Sequence, residues 1–248
     1  MKISIITVCF NSSKTIERTF QSIKNQTYQN IEYIVVDGAS SDDTLKIIKN
    51  YNSCISKYIS ESDKGLYDAM NKGIALATGD IIGILNSDDI FLDMFVLENI
   101  AKFHQVNDID ASIGNIIQFN ESGKTVRKYS SKNWTPENLK IGFMPPHPSI
   151  FFKRKLFEKY GNYRLDFISG ADYELIVRFF IKYQVSWKYF DVTTTAMLIG
   201  GISSSGYKSY KLISREIKKA LDLNNIKFSY FKVLLRVIWK LNGFLKKK

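Results

Sequence analysis

Three short apolar runs and a shorter fourth segment within residues 1–90 each lead to polar or acidic side chains, and this recurrence restricts the fold more than any other feature of the chain. ISIITVCF (3–10) stops at Asn11 and IEYIVV (31–36) at Asp37. A run at 57–60 leads to Asp63, and IIGIL (81–85) stops at Asn86-Ser87-Asp88-Asp89. Short, β-branched runs that are apolar throughout are the pattern of strands buried on both faces. Between them apolar residues recur at helical spacing: Ile16, Phe20 and Ile23; then Leu45, Ile47 and Ile48 after a start at Ser40 to Thr44; then Ala69, Met70, Ile74 and Ala77 before Gly79. Alternating strand and helix predict an α/β fold on a mostly parallel sheet flanked by helices. Ligands of such sheets bind beyond the carboxyl ends of the strands, where Asn11, Asp37, Asp63, Asp88 and Asp89 all fall. One loop acid is a turn former; polar groups at four strand ends in a row point to a site.

The second half is less regular. Residues 112–119 and 125–129 read as strands around Glu121-Ser122-Gly123, and PPHPSIFFK (145–153) carries a loop into an apolar strand. A helix is expected over 172–183 with Asp172 near its start, then a strand near 187–199, then Gly200-Gly201 and Ser203-Ser204-Ser205.

The formal charge of +11 invites a nucleic-acid reading, but its location argues against one. Residues 207–248 hold twelve of the 35 Lys and Arg and only two of the 24 Asp and Glu, so residues 1–206 are nearly neutral. Nucleic-acid readers spread basic charge over a folded face. From Phe228 to Leu245 the tail interleaves large apolar residues with Lys232, Arg236 and Lys240, and Lys246 to Lys248 follow. That pattern is too charged to span a bilayer and suits an amphipathic helix lying on an anionic membrane surface. Packing of the same apolar face on the domain itself, or on a second copy, is the alternative. The two cysteines, Cys9 and Cys54, read as reduced, and the apolar run from Ile3 to Phe10 is too short for a signal peptide. Both readings favour the cytoplasm. The expected division is a domain over 1–206, with halves 1–110 and 111–206, and a basic helical tail over 207–248.

Adjacent carboxylates at a strand end suit Mg²⁺ or Mn²⁺, which need one or two protein carboxylates when phosphate oxygens complete the shell. Asp88-Asp89 fits that description, and Asp-Asp is also a common turn. Asp108-Ile109-Asp110 follows a helical stretch instead and reads as a surface loop. His147, between prolines in PPHPS, reads as a structural residue or as an acceptor or metal contact. Gly201 and Ser203 read as a diphosphate-wrapping or a plain flexible loop. Trp134 and Trp187 read as core.

With these segments in hand, the chain resembles the family-2 glycosyltransferases of the GT-A fold, a Rossmann-like α/β architecture. The resemblance rests on SIITVCFN, VVDGASSDDT, SDKGLYDAMNKGIALATGD and LNSDD, in that order over residues 1–90. PPHPSIFFKR and SGADYEL extend it to about residue 180. It is similar in particular to bacterial enzymes of capsule, O-antigen or exopolysaccharide assembly. The resemblance implies a metal-dependent, inverting hexosyl- or N-acetylhexosaminyltransferase that uses a nucleotide-sugar, with UDP favoured, and a glycan or lipid-linked acceptor at the inner face of the membrane. It implies a nucleotide pocket of Thr7, Phe10, Asn11, Asp37 and Asp63. Asp88 falls on the ribose or the metal-bound diphosphate, and Asp89 on the metal. Asn86 takes the first position of the family's DxD pattern, which leaves the metal shared between Asp88 and Asp89. Asp172 matches the general base, with Ala171 in place of the usual neighbouring acid and with Glu174 and Asp166 as rivals. The competing readings are a non-catalytic nucleotide- or glycan-binding scaffold, a glycoside hydrolase working through paired carboxylates, and a nucleic-acid binder.

Overall fold

A computed structural model describes residues 1–199 and 207–235. The described strands are β1 (Ile3–Cys9), β2 (Ile31–Asp37), β3 (Lys57–Ser60), β4 (Ile81–Ile84), β5 (Ile90–Phe91), β6 (Ala111–Phe119), β7 (Thr125–Tyr129), β8 (Ile150–Lys153) and β9 (Trp187–Leu198). The helices are α1 (Ile16–Lys24), α2 (Thr44–Asn50), α3 (Leu66–Leu76), α4 (Val96–Val106), α5 (Lys155–Tyr160), α6 (Ala171–Val177) and α7 (Tyr207–Leu223). A π-helical turn, Arg178–Lys182, continues α6.

The strands form one sheet in the order β3-β2-β1-β4-β8-β6-β9-β5, with β7 paired to β6. Pairing is parallel from β3 through β2 and β1 to β4. It turns antiparallel where β8 enters between β4 and β6, and β9 returns parallel to β6. The two sequence halves therefore share a single sheet.

Alternation of side chains across the pleat divides the core. Ile6, Val8, Ile34, Val36, Ile82 and Ile84 face one cluster, with α3, α5, α6 and α7. Ile3, Ile5, Cys9, Tyr33, Val35 and Ile81 face the other, with α1, α2 and α4. Both faces are covered, which is why the strand sequences read as unbroken apolar runs. α7 packs on α6 with Ile217, Ala220 and Leu221 buried, and Val233 is buried beyond it. Part of the apolar surface of the described tail thus lies on the domain, while Leu223, Phe231 and Leu234 stay exposed. Arg236, Lys240 and the terminal lysines fall outside the described residues, as do Gly200, Gly201 and Ser203.

Candidate active site

At the end of β1 the chain turns through Phe10 and Asn11. Asn11 holds a left-handed φ of 49°, as does Ala39 at 62°. Such backbone is costly for residues with a Cβ, and a dense set of hydrogen bonds holds it here. The Asn11 amide donates to Ser40 Oγ (2.8 Å), and Asn11 Oδ1 accepts from the Ser41 amide (2.9 Å). Asp37, at the end of β2, is wholly buried. Its carboxylate accepts from the Ser40 amide (3.0 Å), Ser40 Oγ (2.5 Å) and Ser60 Oγ (2.6 Å). Thr7 is also fully buried; its hydroxyl donates to the Leu85 carbonyl (2.7 Å) and accepts from Tyr33 (3.0 Å). Asp37 and Thr7 therefore form the wall under the expected pocket, without facing its opening.

The open surface above them comes from other side chains. Phe10 is 63% exposed, an unusual position for a large apolar ring. Gly38 lies between Phe10 and Asp63. A Cβ at Gly38 would stand 2.6 Å from Asp63 Oδ2 and 3.4 Å from the Phe10 ring, so a side chain there would push the Asp63 carboxylate aside. The result is a flat aromatic face beside a carboxylate, a combination that can stack and hydrogen-bond a planar heterocycle.

Past β4, the Asn86–Asp89 segment closes with the Asp89 amide donating to the Asn86 carbonyl (3.1 Å). Thr19 of α1 donates to the Asp89 carbonyl (2.8 Å). The Asp89 carboxyl is 1% exposed and accepts from Asn86 Nδ2 (3.1 Å). Burial, and then the adjacent Asp88 charge, push its pKa well above the usual carboxylate range. Asp88 is raised as well, chiefly by burial, with Arg18 of α1 opposing the shift. Asn86 Oδ1 is buried with no hydrogen-bond partner among the described residues. Two crowded carboxyls beside an orphaned amide oxygen form an all-oxygen donor set. That set fits Mg²⁺ or Mn²⁺ completed by phosphate oxygens, although no described group of three or more His, Cys, Asp or Glu residues forms a self-sufficient metal cage. Asp108 and Asp110 instead pair with Lys153 and Lys155 at the surface.

The third acid, Asp172, sits in the first turn of α6. Oδ1 accepts from the Tyr173 amide (2.7 Å) and from the Tyr67 hydroxyl of α3 (3.3 Å). Burial raises its pKa to about 6, against those two bonds. Its rivals are committed elsewhere. Glu174 is 2% exposed, paired with Arg178 (3.0 Å) and bonded by Asn224 (3.0 Å). Asp166 lies in ion pairs with Arg164 and Lys219, which hold its carboxyl below the usual range. His147 is linked towards Asp172 through two tyrosines: its Nε2 shares a 2.5 Å hydrogen bond with the Tyr163 hydroxyl, and Tyr163 stacks on Tyr67 at 5.7 Å between ring centroids. Burial drops the His147 pKa to about 4, so the ring is neutral at pH 7. Trp134 and Trp187 pack edge-to-face on each other (5.2 Å), as core residues do. Sequence reasoning missed Tyr67, Tyr163, Gly38 and Arg18. Tyr67 and Gly38 lay inside quoted segments, but nothing in their spacing marked them.

A parallel half-sheet with acids at its carboxyl ends, joined to an antiparallel half that supplies a further acid, is the GT-A glycosyltransferase architecture. The chain belongs to glycosyl transferase family 2, whose model matches residues 4–165. It is 33% identical over 186 residues to an uncharacterized glycosyltransferase of Mycobacterium tuberculosis, covering 71% of this chain and 68% of that one. It is 27% identical over 232 residues to a PGL/p-HBAD biosynthesis glycosyltransferase of Mycobacterium bovis, covering 89% and 84%. Among solved structures, S. aureus TarS 1–349 in complex with UDP-GlcNAc superposes with a TM-score of 0.71 at 20% identity, over 100% of this chain and 76% of that one. The mannosyltransferase PcManGT of Pyrobaculum calidifontis, in complex with GDP-Man and Mn²⁺, gives 0.65 at 18% identity, over 95% and 68%.

Proposed function

We propose that this glycosyltransferase moves a hexosyl or N-acetylhexosaminyl group from a UDP-sugar to a glycan or lipid-linked acceptor, with inversion at the anomeric carbon. The observation that carries the proposal is the placement of two acids without a described ion pair, the buried Asp89 past β4 and the half-buried Asp172 in the first turn of α6, where it meets the Tyr67 hydroxyl of α3. The base stacks on Phe10 and hydrogen-bonds to Asp63, while Asn11 and the buried Asp37 keep the loop in shape. Asp88 and Asp89 face the diphosphate. A divalent cation held there, Mn²⁺ or Mg²⁺, supplies positive charge to the leaving diphosphate. Asp172 takes the proton of the acceptor hydroxyl; the acceptor oxygen bonds to the anomeric carbon as the bond to the diphosphate breaks on the opposite face. His147 belongs to the support behind Asp172. Gly201 and Ser203, outside the described residues, stay assigned to the diphosphate. The UDP and metal assignments draw support from the ligands of TarS and PcManGT.

The proposed setting is the inner face of the cell membrane, in surface-polysaccharide synthesis. No described helix is long and apolar enough to cross a membrane. Leu223, Phe231 and Leu234 remain exposed in a segment that also carries Lys211, Arg215, Lys227 and Lys232. Such a surface suits anionic lipid headgroups at about 1 kcal/mol per basic residue.

The test is incubation with a panel of nucleotide-sugars and Mn²⁺. One donor is expected to raise the melting temperature and to hydrolyse slowly, and NMR is expected to find the released anomer inverted. Donor binding without any turnover would leave the scaffold reading standing. Sedimentation with anionic liposomes tests the setting: loss of binding on deleting residues 227–248 supports it, and equal binding removes it.

A further inference from the structure

Tyr67 lies in the first turn of α3, two residues beyond Gly65, whose amide donates to Asp63 Oδ1 (2.8 Å). One helix start therefore carries both an edge of the aromatic platform and a hydroxyl aimed at the acid of the opposite half. Tyr67 is 6% exposed, so its hydroxyl has left water for a carboxylate. The ring is fixed from behind by Tyr163, which is 3% exposed. Tyr163 is fixed in turn at both backbone atoms by Asn71 of α3: Asn71 Nδ2 donates to the Tyr163 carbonyl (2.8 Å), and the Tyr163 amide donates to Asn71 Oδ1 (3.0 Å). Its hydroxyl is held by His147. Arg178 bonds the carbonyls of Tyr160, Gly161 and Asn162, which anchors the same loop to the turn that follows α6. From the other side, Glu216 of α7 accepts from the Ile168 (2.6 Å) and Ser169 (2.9 Å) amides just ahead of α6. So much restraint around one side chain exceeds what packing alone requires.

We propose that Tyr67 is the positioning residue of Asp172: its hydroxyl, backed by the Tyr163–His147 pair, binds Oδ1 and turns Oδ2 toward the acceptor hydroxyl. The proposal rests on Asp172 being the general base. The groups facing that carboxyl are the Tyr67 hydroxyl from α3, the Tyr163 ring from the loop, the Tyr173 amide on its own helix, and the Glu216 carboxylate from α7. Glu216 carries a negative charge that disfavours ionised Asp172, while the Tyr67 bond favours it. Arg178 and Glu174, also on the α6 side, neutralise each other. Loss of the Tyr67 hydroxyl therefore moves the acid limb of the kcat–pH profile to higher pH.

The test is Y67F, which keeps the stacked ring, measured for kcat, donor KM and pH profile in wild-type and D172N backgrounds. In the wild-type background kcat is expected to fall about tenfold, the scale of one hydrogen bond to a charged group. The acid limb should shift upward with donor KM unchanged. In the D172N background the same change should do nothing further. An equal loss in both backgrounds, or an unmoved acid limb, overturns the proposal. A D172N protein with wild-type turnover instead defeats the reading of Asp172 as base, a separate result. Y163F is the second variant, should Y67F fail to fold; it frees His147 and keeps the ring. A smaller upward shift of the acid limb is expected, and its absence overturns the proposal.

Discussion

The two ends of the parallel half-sheet treat buried carboxylates in opposite ways. At the amino end, Glu32 at the start of β2 is 3% exposed and fully engaged. It accepts from Ser4 Oγ (2.6 Å), the Thr78 amide (2.7 Å) and Thr78 Oγ1 (2.8 Å), and it pairs with Lys2 (3.1 Å) and Lys57 (3.0 Å). Those bonds outweigh burial and hold its pKa well below the usual carboxylate range. At the carboxyl end, Asp89 is buried as deeply, receives few bonds and is displaced upward. Glu32 ties β1, β2 and the start of β4 together. Asp89 is left where burial and the neighbouring Asp88 favour its protonated form. Burial of an acid therefore says little about function, whereas the direction in which burial leaves its proton is informative.

The sharpest way to break this contrast is to neutralise one acid at each end. D89N should cut turnover about 10³-fold or more, the scale of a lost transition-state charge clamp, and should abolish metal-dependent donor binding. Its melting temperature without metal should hold or rise, because a crowded buried acid has been removed. A D89N enzyme with intact metal dependence would place the cation elsewhere. E32Q should do the reverse. It removes the charge that Lys2 and Lys57, both partly exposed, pair with, and it weakens the bonds from Ser4 and Thr78, which should cost about 1–2 kcal/mol of stability, while kcat at low temperature stays unchanged. A matching loss of activity would collapse the division between the two ends.

Proton linkage sharpens the same comparison. The Glu32 pKa is depressed in the folded state, so its stabilisation is present above the unfolded-state value and is lost as pH falls. Asp172 is raised to about 6, so the folded state binds its proton more tightly and the linked stability is lost as pH rises through 6. The proposed base works in its ionised form, so wild-type kcat should fall with acid below about pH 6. D172N should lose about 10² in turnover, the scale of a positioned base, keep donor and metal affinity, and lose that acid limb. If E174Q shows this pattern instead, the Glu174–Arg178 pair is not the structural lock it resembles.

The amino-acid pattern made much of this legible, unevenly. β1 to β4 and their helices fall within a few residues of expectation, because each pairs strand with helix over short sequence distances. The order of the other half of the sheet was not legible. β8 enters between β4 and β6 through pairings that span about seventy and forty residues, and no local signal encodes such a choice. The acids at Asp88, Asp89 and Asp172 announced themselves as strand-end and helix-start groups. How deep Thr7 and Asp37 lie was not legible, because strands covered on both faces lose the alternation that tells an inward side chain from an accessible one. Thr7 shares the parity of Ile5 and Cys9, which the sheet buries just as it buries Ile6 and Val8 on the opposite face. Tyr67 was invisible for a different reason: its partner lies 105 residues away.

The smallest predicted effect concerns an exposed apolar group. Phe20 and Phe10 belong to the same sequence neighbourhood, yet Phe20 is fully buried and Phe10 is 63% exposed. Truncating Phe20 should cost about 3–5 kcal/mol of stability through the cavity left behind. Truncating Phe10 leaves no cavity, so F10A should melt close to wild type. Its cost should fall on the donor instead: loss of one stacked base is worth about 1–3 kcal/mol, so donor KM should rise about tenfold with kcat nearly unchanged. Isothermal titration with UDP alone isolates this effect, because the acceptor and Asp172 take no part. An F10A protein that binds UDP normally would show that the heterocycle does not rest on this ring, and the aromatic platform would have to be reassigned to structure.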